Sequence, residues 1–170
     1  MIKILYIHGL DSSPKPEKIE LIKQYGDVIG LHLDYKKEED PFKLLNDTIE
    51  NENISHIVGS SLGGFLGFWL GEKNSLPCLL FNPALGMRSI DVPVERNYNK
   101  CPKRLIVLGE QDDVVLPYHT IEFLRPLSRK KTQQEIIIDS TMEHRISDEN
   151  FAKYIKYFFY PSNQSLGREI

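Results

Sequence analysis

The feature that most constrains the fold of this chain is an apolar segment that runs into a cluster of glycines and serines. Residues 54–58 read Ile-Ser-His-Ile-Val, which is typical of a buried strand, and residues 59–64 read Gly-Ser-Ser-Leu-Gly-Gly. Ser61 has a glycine two positions before it and two positions after it, whereas Ser60 has a valine and a leucine there. Glycines are needed where strand and helix backbones pass close to each other. The pattern predicts a nucleophile elbow, a strained strand-to-helix turn that exposes the Ser61 hydroxyl.

The segment after this turn, residues 62–72, is a poor helix former by itself. It contains four glycines, and each of them disfavours a helix by about 1 kcal/mol relative to alanine. Packing must therefore support the helix, and Gly64, Gly67 and Gly71 fall on one face that could lie tight against a sheet. An ordinary serine in a glycine-rich turn of an α/β protein remains the alternative interpretation of Ser61.

Short apolar runs alternate with helical patterns along the whole chain. The strands are predicted at residues 2–7, 28–33, 54–58, 77–82, 104–108 and 135–139. The helices are predicted at residues 15–25, from Pro41, at 62–72, from Pro117 and after Ser147. Strands that alternate with helices predict right-handed crossovers and a doubly wound α/β domain, whose parallel sheet is covered by helices on both faces.

Local signals set several of these boundaries. Asp40 followed by Pro41 is typical of a helix start, and Ser147 is predicted to cap the last helix. In the helix after Pro117, Ile121 and Leu124 are expected to point inward. Residues 83–102 show no clear period and are predicted as a loop, which at this length tends to be functional or flexible.

Length and composition point to an ordinary globular protein. The chain has 170 residues and a formal net charge of −3, so we predict one domain over residues 1–160, followed by a flexible tail at 161–170. No run is long enough to span a membrane, and no signal-peptide pattern opens the chain. The two cysteines have no metal-type spacing. These patterns predict a cytoplasmic protein without cofactor, metal, nucleic-acid partner or membrane contact.

Residues able to support nucleophilic chemistry follow three of the predicted strands. Ser61 follows the third strand, Asp112 and Asp113 follow the fifth, and His144 follows the sixth. In a parallel sheet the loops after the strands lie at one edge and carry functional residues. A serine needs a base to become a nucleophile, and the base needs a carboxylate to fix its tautomer. The chain order Ser, Asp, His is that of the α/β-hydrolases.

Five histidines compete for the role of base. Only His144 lies between the last predicted strand and the last helix, so we predict that it is the base. His8 ends the first strand and precedes Gly9, which suits a role in shaping the loop. The remaining histidines lie in strands or open a helix and are assigned structural or surface roles: His32, His56 and His119.

The acid is predicted less directly, because several carboxylates follow the fifth strand. Asp112 stands three residues after Gly109 and is followed by two valines that could anchor the turn. We therefore favour Asp112, while Asp113 and then Glu110 remain alternatives.

Two backbone amides are expected to bind the oxyanion of the reaction. One belongs to Leu62 at the start of the helix, and the other comes from the loop after the first strand, at Leu10. The apolar residues near the predicted site are candidates for substrate binding: Phe65, Leu85 and Val115.

Three motifs resemble those of a known family. Residues 6–14 read Tyr-Ile-His-Gly-Leu-Asp-Ser-Ser-Pro, residues 59–64 form the elbow, and residues 82–84 read Asn-Pro-Ala. Together they resemble the signatures of the small YqiA-like esterases, which are minimal, lidless α/β-hydrolases. The resemblance runs from Ile2 to about Phe159.

The resemblance implies a six-stranded hydrolase core and hydrolysis of carboxylic esters with short acyl chains, or of acyl thioesters. It assigns the nucleophile to Ser61, the acid to Asp112, the base to His144 and an oxyanion amide to Leu10. One departure is Thr141-Met-Glu before the histidine, where the family often has glycine and serine.

The leading hypothesis is therefore a serine esterase, monomeric or a small homo-oligomer, that acts through an acyl-enzyme. Residues 83–102 are too few for a folded lid domain, so an open site for short or soluble substrates is expected. Three alternatives remain: a thioesterase or peptidase with the same triad, a catalytically silent hydrolase-like binding protein, and a flavodoxin-like ligand binder. The first-strand loop has no convincing phosphate cradle, which disfavours the last.

Overall fold

A computed structural model describes residues 1–87, 90, 92–93, 102–125 and 133–161. Within these residues eleven elements are formed, and strands alternate strictly with helices up to the fourth strand. They are β1 Lys3–Ile7, α1 Pro16–Lys23, β2 Asp27–Gly30, α2 Pro41–Glu52, β3 His56–Ser60, α3 Leu62–Asn74, β4 Cys78–Phe81, β5 Arg104–Gly109, α4 Pro117–Leu124, β6 Gln134–Asp139 and α5 Asp148–Phe159.

All six strands form one parallel sheet in the order β2-β1-β3-β4-β5-β6. The register pairs Ser60 at the end of β3 with Phe81 at the end of β4. Gly109 at the end of β5 pairs with Asp139 at the end of β6. Because the strands are parallel, the loops that follow β1, β3, β4, β5 and β6 meet at one edge of the sheet. The predicted α/β architecture is confirmed.

Helices cover both faces of this sheet and define two buried apolar clusters. One cluster contains the inner faces of α2 and α3 together with Leu124 of α4. The other contains Ile22 of α1 and four side chains of α5: Phe151, Tyr154, Ile155 and Phe158. These four residues follow the i, i+3, i+4, i+7 spacing of one helix face, and all four are buried.

The glycine-bearing face of α3 packs directly on the sheet, as expected. A side chain added at Gly67 would meet the side chains of Ile57 and Leu80 at 3.1 Å, and one added at Gly71 would collide with the Cys78 thiol. Nine of the thirteen residues of α3 are buried. Close packing between helix and strands therefore offsets the low helix propensity of this segment.

Several boundaries and one side chain differ from the sequence predictions. Helix α1 ends at Lys23 and strand β2 ends at Gly30, so both are shorter than predicted. Ile121 is exposed rather than inward, because the buried face of α4 runs through Thr120 and Leu124, four positions apart.

The predicted caps are confirmed. The Asp40 side chain accepts a hydrogen bond from the Lys43 amide at 2.8 Å. The Ser147 hydroxyl accepts one from the Asn150 amide at 3.2 Å.

No element of the described residues forms a lid over the carboxyl edge of the sheet. Most of the predicted 83–102 loop and residues 162–170 of the predicted tail lie outside the described residues. None of the helices described here combines the length and the apolar character that a membrane span requires.

Candidate active site

Ser61 stands alone between the end of β3 and the start of α3, in the conformation predicted for the elbow. Its backbone has φ 54° and ψ −120°, a region that residues with a side chain rarely adopt. A side chain at Gly59 would collide with the Gly63 carbonyl oxygen, and one at Gly63 would collide with the Ile7 carbonyl oxygen. The two glycines therefore allow strand and helix to approach each other closely enough to form this turn.

Backbone hydrogen bonds fix the strained turn on the sheet edge. The Ser61 amide donates to the Phe81 carbonyl at 3.0 Å. The Ser61 carbonyl accepts from Phe65 in α3 at 3.0 Å and from Ala84 in the loop after β4 at 3.1 Å. The surrounding backbone thus holds the conformation that Ser61 would otherwise avoid.

Asp112 and His144 meet at the same edge of the sheet. His144 Nδ1 lies 2.8 Å from Asp112 Oδ2, and the Asp112 side chain is buried, whereas 22% of the His144 side chain is exposed. Asp112 Oδ1 accepts from the amides of Val114 at 2.9 Å and Val115 at 2.7 Å. Asp113 is exposed, so of the two adjacent carboxylates it is Asp112 that contacts the histidine.

The partners of His144 assign its tautomer. An ionised carboxylate only accepts hydrogen bonds, so Nδ1 of the ring carries the proton and donates to Asp112. Nε2 of the neutral ring is left with a lone pair that can accept a proton. In the described part of the chain no hydrogen bond joins the Ser61 hydroxyl to this ring, and such bonds are often long or misaligned before substrate binds.

The loop after β1 lies against Ser61. A side chain at Gly9 would come within 3.1 Å of the Ser61 Cβ. His8 is buried, and its Nε2 accepts a hydrogen bond from the Leu33 amide at 3.0 Å. Nδ1 therefore carries the proton and donates to the Gly9 carbonyl at 2.8 Å. The Tyr35 hydroxyl donates to the His8 carbonyl at 2.6 Å. The predicted role of His8 in shaping this loop is confirmed.

These contacts determine the orientation of the peptide between Gly9 and Leu10. In a trans peptide the carbonyl and the N–H point in opposite directions, so a Gly9 carbonyl held by His8 turns the Leu10 amide away from His8. Burial lowers the pKa of His8, which favours the neutral ring that this arrangement requires. Leu62 is the first residue of α3, and the first amides of a helix have no partner inside the helix.

Two of the three candidate substrate-binding residues line a cavity of about 740 Å³. Phe65 lies one helical turn after Ser61, and Leu85 directly follows Ala84, which is hydrogen-bonded to Ser61. The remaining described lining is Trp69, Gly86, Ile90, Val92, His119, Glu122 and Phe123. Val115 does not line this cavity. Its side chain is buried in the core, and its amide donates to Asp112.

Residues 3–90 match the uncharacterised protein family UPF0227. This match covers more than half of the chain. The chain belongs to this family. Membership confirms the resemblance to the small YqiA-like proteins, which three sequence motifs of this chain indicated.

Solved structures with similar folds include a monoacylglycerol lipase from Paleococcus ferrophilus, with 13% identity, a TM-score of 0.73, and coverage of 92% of this chain and 93% of the lipase. The alpha/beta hydrolase domain-containing protein 10 from mouse has 13% identity, a TM-score of 0.67, and coverage of 90% and 86%. FphF, a fluorophosphonate-binding serine hydrolase of Staphylococcus aureus, has 15% identity, a TM-score of 0.65, and coverage of 94% and 84%. At these identities the likeness shows the fold, so this UPF0227 member has the α/β-hydrolase fold.

A buried carboxylate that sequence reasoning did not single out anchors the loop of His144. Asp139 at the end of β6 accepts hydrogen bonds from the Tyr154 hydroxyl at 2.5 Å, the Thr141 amide at 2.9 Å and the Thr141 hydroxyl at 2.7 Å. The Lys153 ammonium lies 3.1 Å away. Burial acts to raise the pKa of Asp139, but these donors outweigh burial and hold the pKa well below its ordinary value. Asp139 thereby ties the start of the histidine loop to α5.

Proposed function

We propose that this protein is a serine hydrolase that cleaves small carboxylic esters through an acyl-enzyme. The observation that carries the proposal is the pairing of His144 with buried Asp112 at 2.8 Å, at the sheet edge where Ser61 is held in a strained elbow. A neutral histidine oriented by a carboxylate is the group that activates a nearby serine as a nucleophile, and Ser61 is partly exposed in the elbow. The lipase and the serine hydrolase among the similar folds support the same class.

In the proposed mechanism, Nε2 of His144 takes the proton of the Ser61 hydroxyl as Oγ attacks the ester carbonyl. A tetrahedral intermediate forms, and its collapse breaks the bond to the alcohol oxygen, which receives the proton from His144. The product of this step is an acyl group on Ser61. Water, deprotonated by His144, then attacks the acyl-enzyme and releases the acid. Asp112 stabilises the imidazolium that forms in both halves of the reaction.

The oxyanion is proposed to bind the amides of Leu62 and Leu10. The Leu62 amide lies at the N-terminus of α3, where unpaired N–H groups and the helix dipole favour negative charge. The Leu10 amide belongs to the loop that His8 and Tyr35 hold against Ser61. Donors fixed before the reaction stabilise the transition state without reorganisation, and removing one typically costs a few kcal/mol.

The acyl group is proposed to enter the cavity lined by Phe65 and Leu85. One lining residue, Phe65, lies one helical turn after Ser61, and the other described walls include Trp69 and Phe123. Apolar walls with few polar groups are typical of sites that bind small molecules. The volume of about 740 Å³ is ample for a short acyl chain.

The test is labelling with a fluorophosphonate probe, measured by intact mass. A single adduct is expected on the wild type and none on Ser61→Ala or His144→Ala. Ser60→Ala is the matched control, because it changes the neighbouring serine outside the elbow position and is expected to label normally. A folded wild type without adduct would contradict the proposal, and an adduct that survives Ser61→Ala would contradict the choice of nucleophile. Rates on matched ester, thioester and amide substrates then identify the bond that is cleaved.

A further inference from the structure

Asn82 is a buried amide between the two halves of the candidate active site. It directly follows β4, is 1% exposed and has φ 42°. Residues with side chains avoid this left-handed region, and asparagine is one of the few that visit it readily. Its own amide donates to the Val107 carbonyl of β5 at 2.8 Å, so the backbone of Asn82 continues the β4–β5 pairing by one residue beyond the strand.

The side chain of Asn82 forms two further hydrogen bonds, as acceptor in one and as donor in the other. Oδ1 accepts from the Gly109 amide at 2.7 Å, and Nδ2 donates to the Glu143 carbonyl at 3.0 Å. Gly109 ends β5, and Glu143 immediately precedes His144. An amide presents an acceptor and a donor side by side, which an ionised carboxylate cannot do, and only one of its two orientations satisfies both partners.

These contacts connect the residues on which the proposed reaction depends. The carbonyl of Glu143 and the amide of His144 belong to one peptide, so Asn82 holds the backbone that carries the histidine. On its other side, Asn82 follows Phe81, whose carbonyl binds the Ser61 amide. A hydrogen-bonded path from Ser61 to His144 therefore runs through residues 81 and 82, while Asp112 holds only the far side of the histidine ring.

We propose that Asn82 is a positioning residue, which sets the peptide before His144 so that Nε2 of the ring faces Ser61. This inference rests on the proposed function. Asp139 anchors the start of this loop and Asp112 holds the ring, whereas the Asn82 bond ties the residue immediately before His144 to the end of β4 beside the elbow. Displacement of a catalytic group by about 1 Å can cost about 100-fold in rate.

The test compares Asn82→Asp with Asn82→Gly and a matched control. The aspartate keeps the size and the acceptor for Gly109 but, when ionised, turns a carboxylate oxygen toward the Glu143 carbonyl. Glycine keeps the left-handed backbone and removes both side-chain hydrogen bonds. Asn46→Asp is the control, because Asn46 is also a buried asparagine with two side-chain hydrogen bonds. Its Oδ1 accepts from Asn74 of α3 at 3.1 Å, and its Nδ2 donates to Glu50 of α2 at 2.8 Å. Neither partner belongs to the candidate active site.

We expect kcat and the rate of fluorophosphonate labelling to fall about 10- to 100-fold in both Asn82 variants, with KM unchanged. The deficit of Asn82→Asp should shrink as the pH falls, because the protonated carboxyl regains a donor for Glu143. Asn46→Asp should lose comparable thermal stability and keep wild-type kcat. Loss of activity in proportion to the loss of Tm in all three variants, or wild-type kcat in the Asn82 variants, would overturn the proposal.

A second readout separates this proposal from the proposed function. The proton between His144 Nδ1 and Asp112 is expected to give a downfield proton resonance, which would be assigned by its absence in His144→Gln. We expect this resonance to shift or broaden in the Asn82 variants and to stay unchanged in Asn46→Asp. A wild type that is inactive but shows this pattern would refute the esterase and leave the positioning role standing. An unchanged resonance in the Asn82 variants would refute the positioning role.

Discussion

Replacing Asp112 by asparagine changes the hydrogen-bond pattern around His144 while preserving the size of the side chain. In the protein, one carboxylate oxygen accepts from the amides of Val114 and Val115, and the other accepts from His144 Nδ1. In Asp112→Asn the single oxygen is expected to keep the two backbone amides, because an NH₂ group there would face two donors. The NH₂ group then faces Nδ1 of the histidine.

The magnitude follows from the tautomer that this arrangement imposes. Nδ1 of the ring must accept from the NH₂ group, so the ring proton moves to Nε2, which can no longer take the proton of Ser61. In serine proteases the same substitution lowers kcat by about 10⁴-fold through the wrong tautomer, which corresponds to about 5 kcal/mol in the activation free energy. We expect a similar loss here, with a cost of about 1–3 kcal/mol in the free energy of unfolding from the lost charged hydrogen bond.

The assay is kcat/KM on a short-chain ester, together with the labelling rate of Ser61 and a thermal melt. Asp113→Asn is the matched control, because Asp113 is exposed in the same turn. It is expected to keep wild-type activity and to change the free energy of unfolding by no more than about 0.5 kcal/mol. Retention of activity in Asp112→Asn, or its loss in Asp113→Asn, would refute this account of the tautomer.

Two further predictions follow from the cavity and from Asp139. Leu85→Phe, which narrows the cavity beside Phe65, is expected to lower kcat/KM for hexanoyl esters about tenfold more than for acetyl esters. Val115→Ala, outside the cavity, should reduce Tm without altering the ratio of kcat/KM between the two esters. An unchanged ratio in Leu85→Phe would exclude the cavity as the acyl site. Asp139→Asn is expected to cost about 1–3 kcal/mol in the free energy of unfolding at pH 7. Because the folded protein holds the pKa of Asp139 below its ordinary value, its contribution is present above that value and is lost as pH falls through the folded pKa. The wild type should therefore lose more Tm than Asp139→Asn between pH 5 and about pH 2, measured by circular dichroism, and parallel Tm curves would contradict this linkage.

The order of the elements could be predicted because each depends on local patterns. The alternation of apolar runs and helical stripes predicts the six strands and five helices of the described residues, and the caps at Asp40 and Ser147 are short-range hydrogen bonds. The orientation of Ile121 was wrong because the buried face of α4 depends on where the helix meets the sheet. In that helix the Thr120 hydroxyl binds the Pro83 carbonyl at 2.9 Å, a contact between segments 37 residues apart.

The sequence by itself determined the elbow, because Gly59 and Gly63 flank only one of two adjacent serines and steric exclusion acts over a few residues. It also pointed to His144 as the histidine after the last strand. Only the tertiary structure decided between Asp112 and Asp113 as the partner of that histidine. Both lie in one turn, but the Asp112 side chain is buried against His144 and Asp113 is exposed. The contacts of Asn82 and Asp139 likewise join strand ends to distant loops. Buried polar groups are hydrogen-bonded to whatever partners the fold brings near them, and local sequence patterns do not predict partners that are distant in the chain.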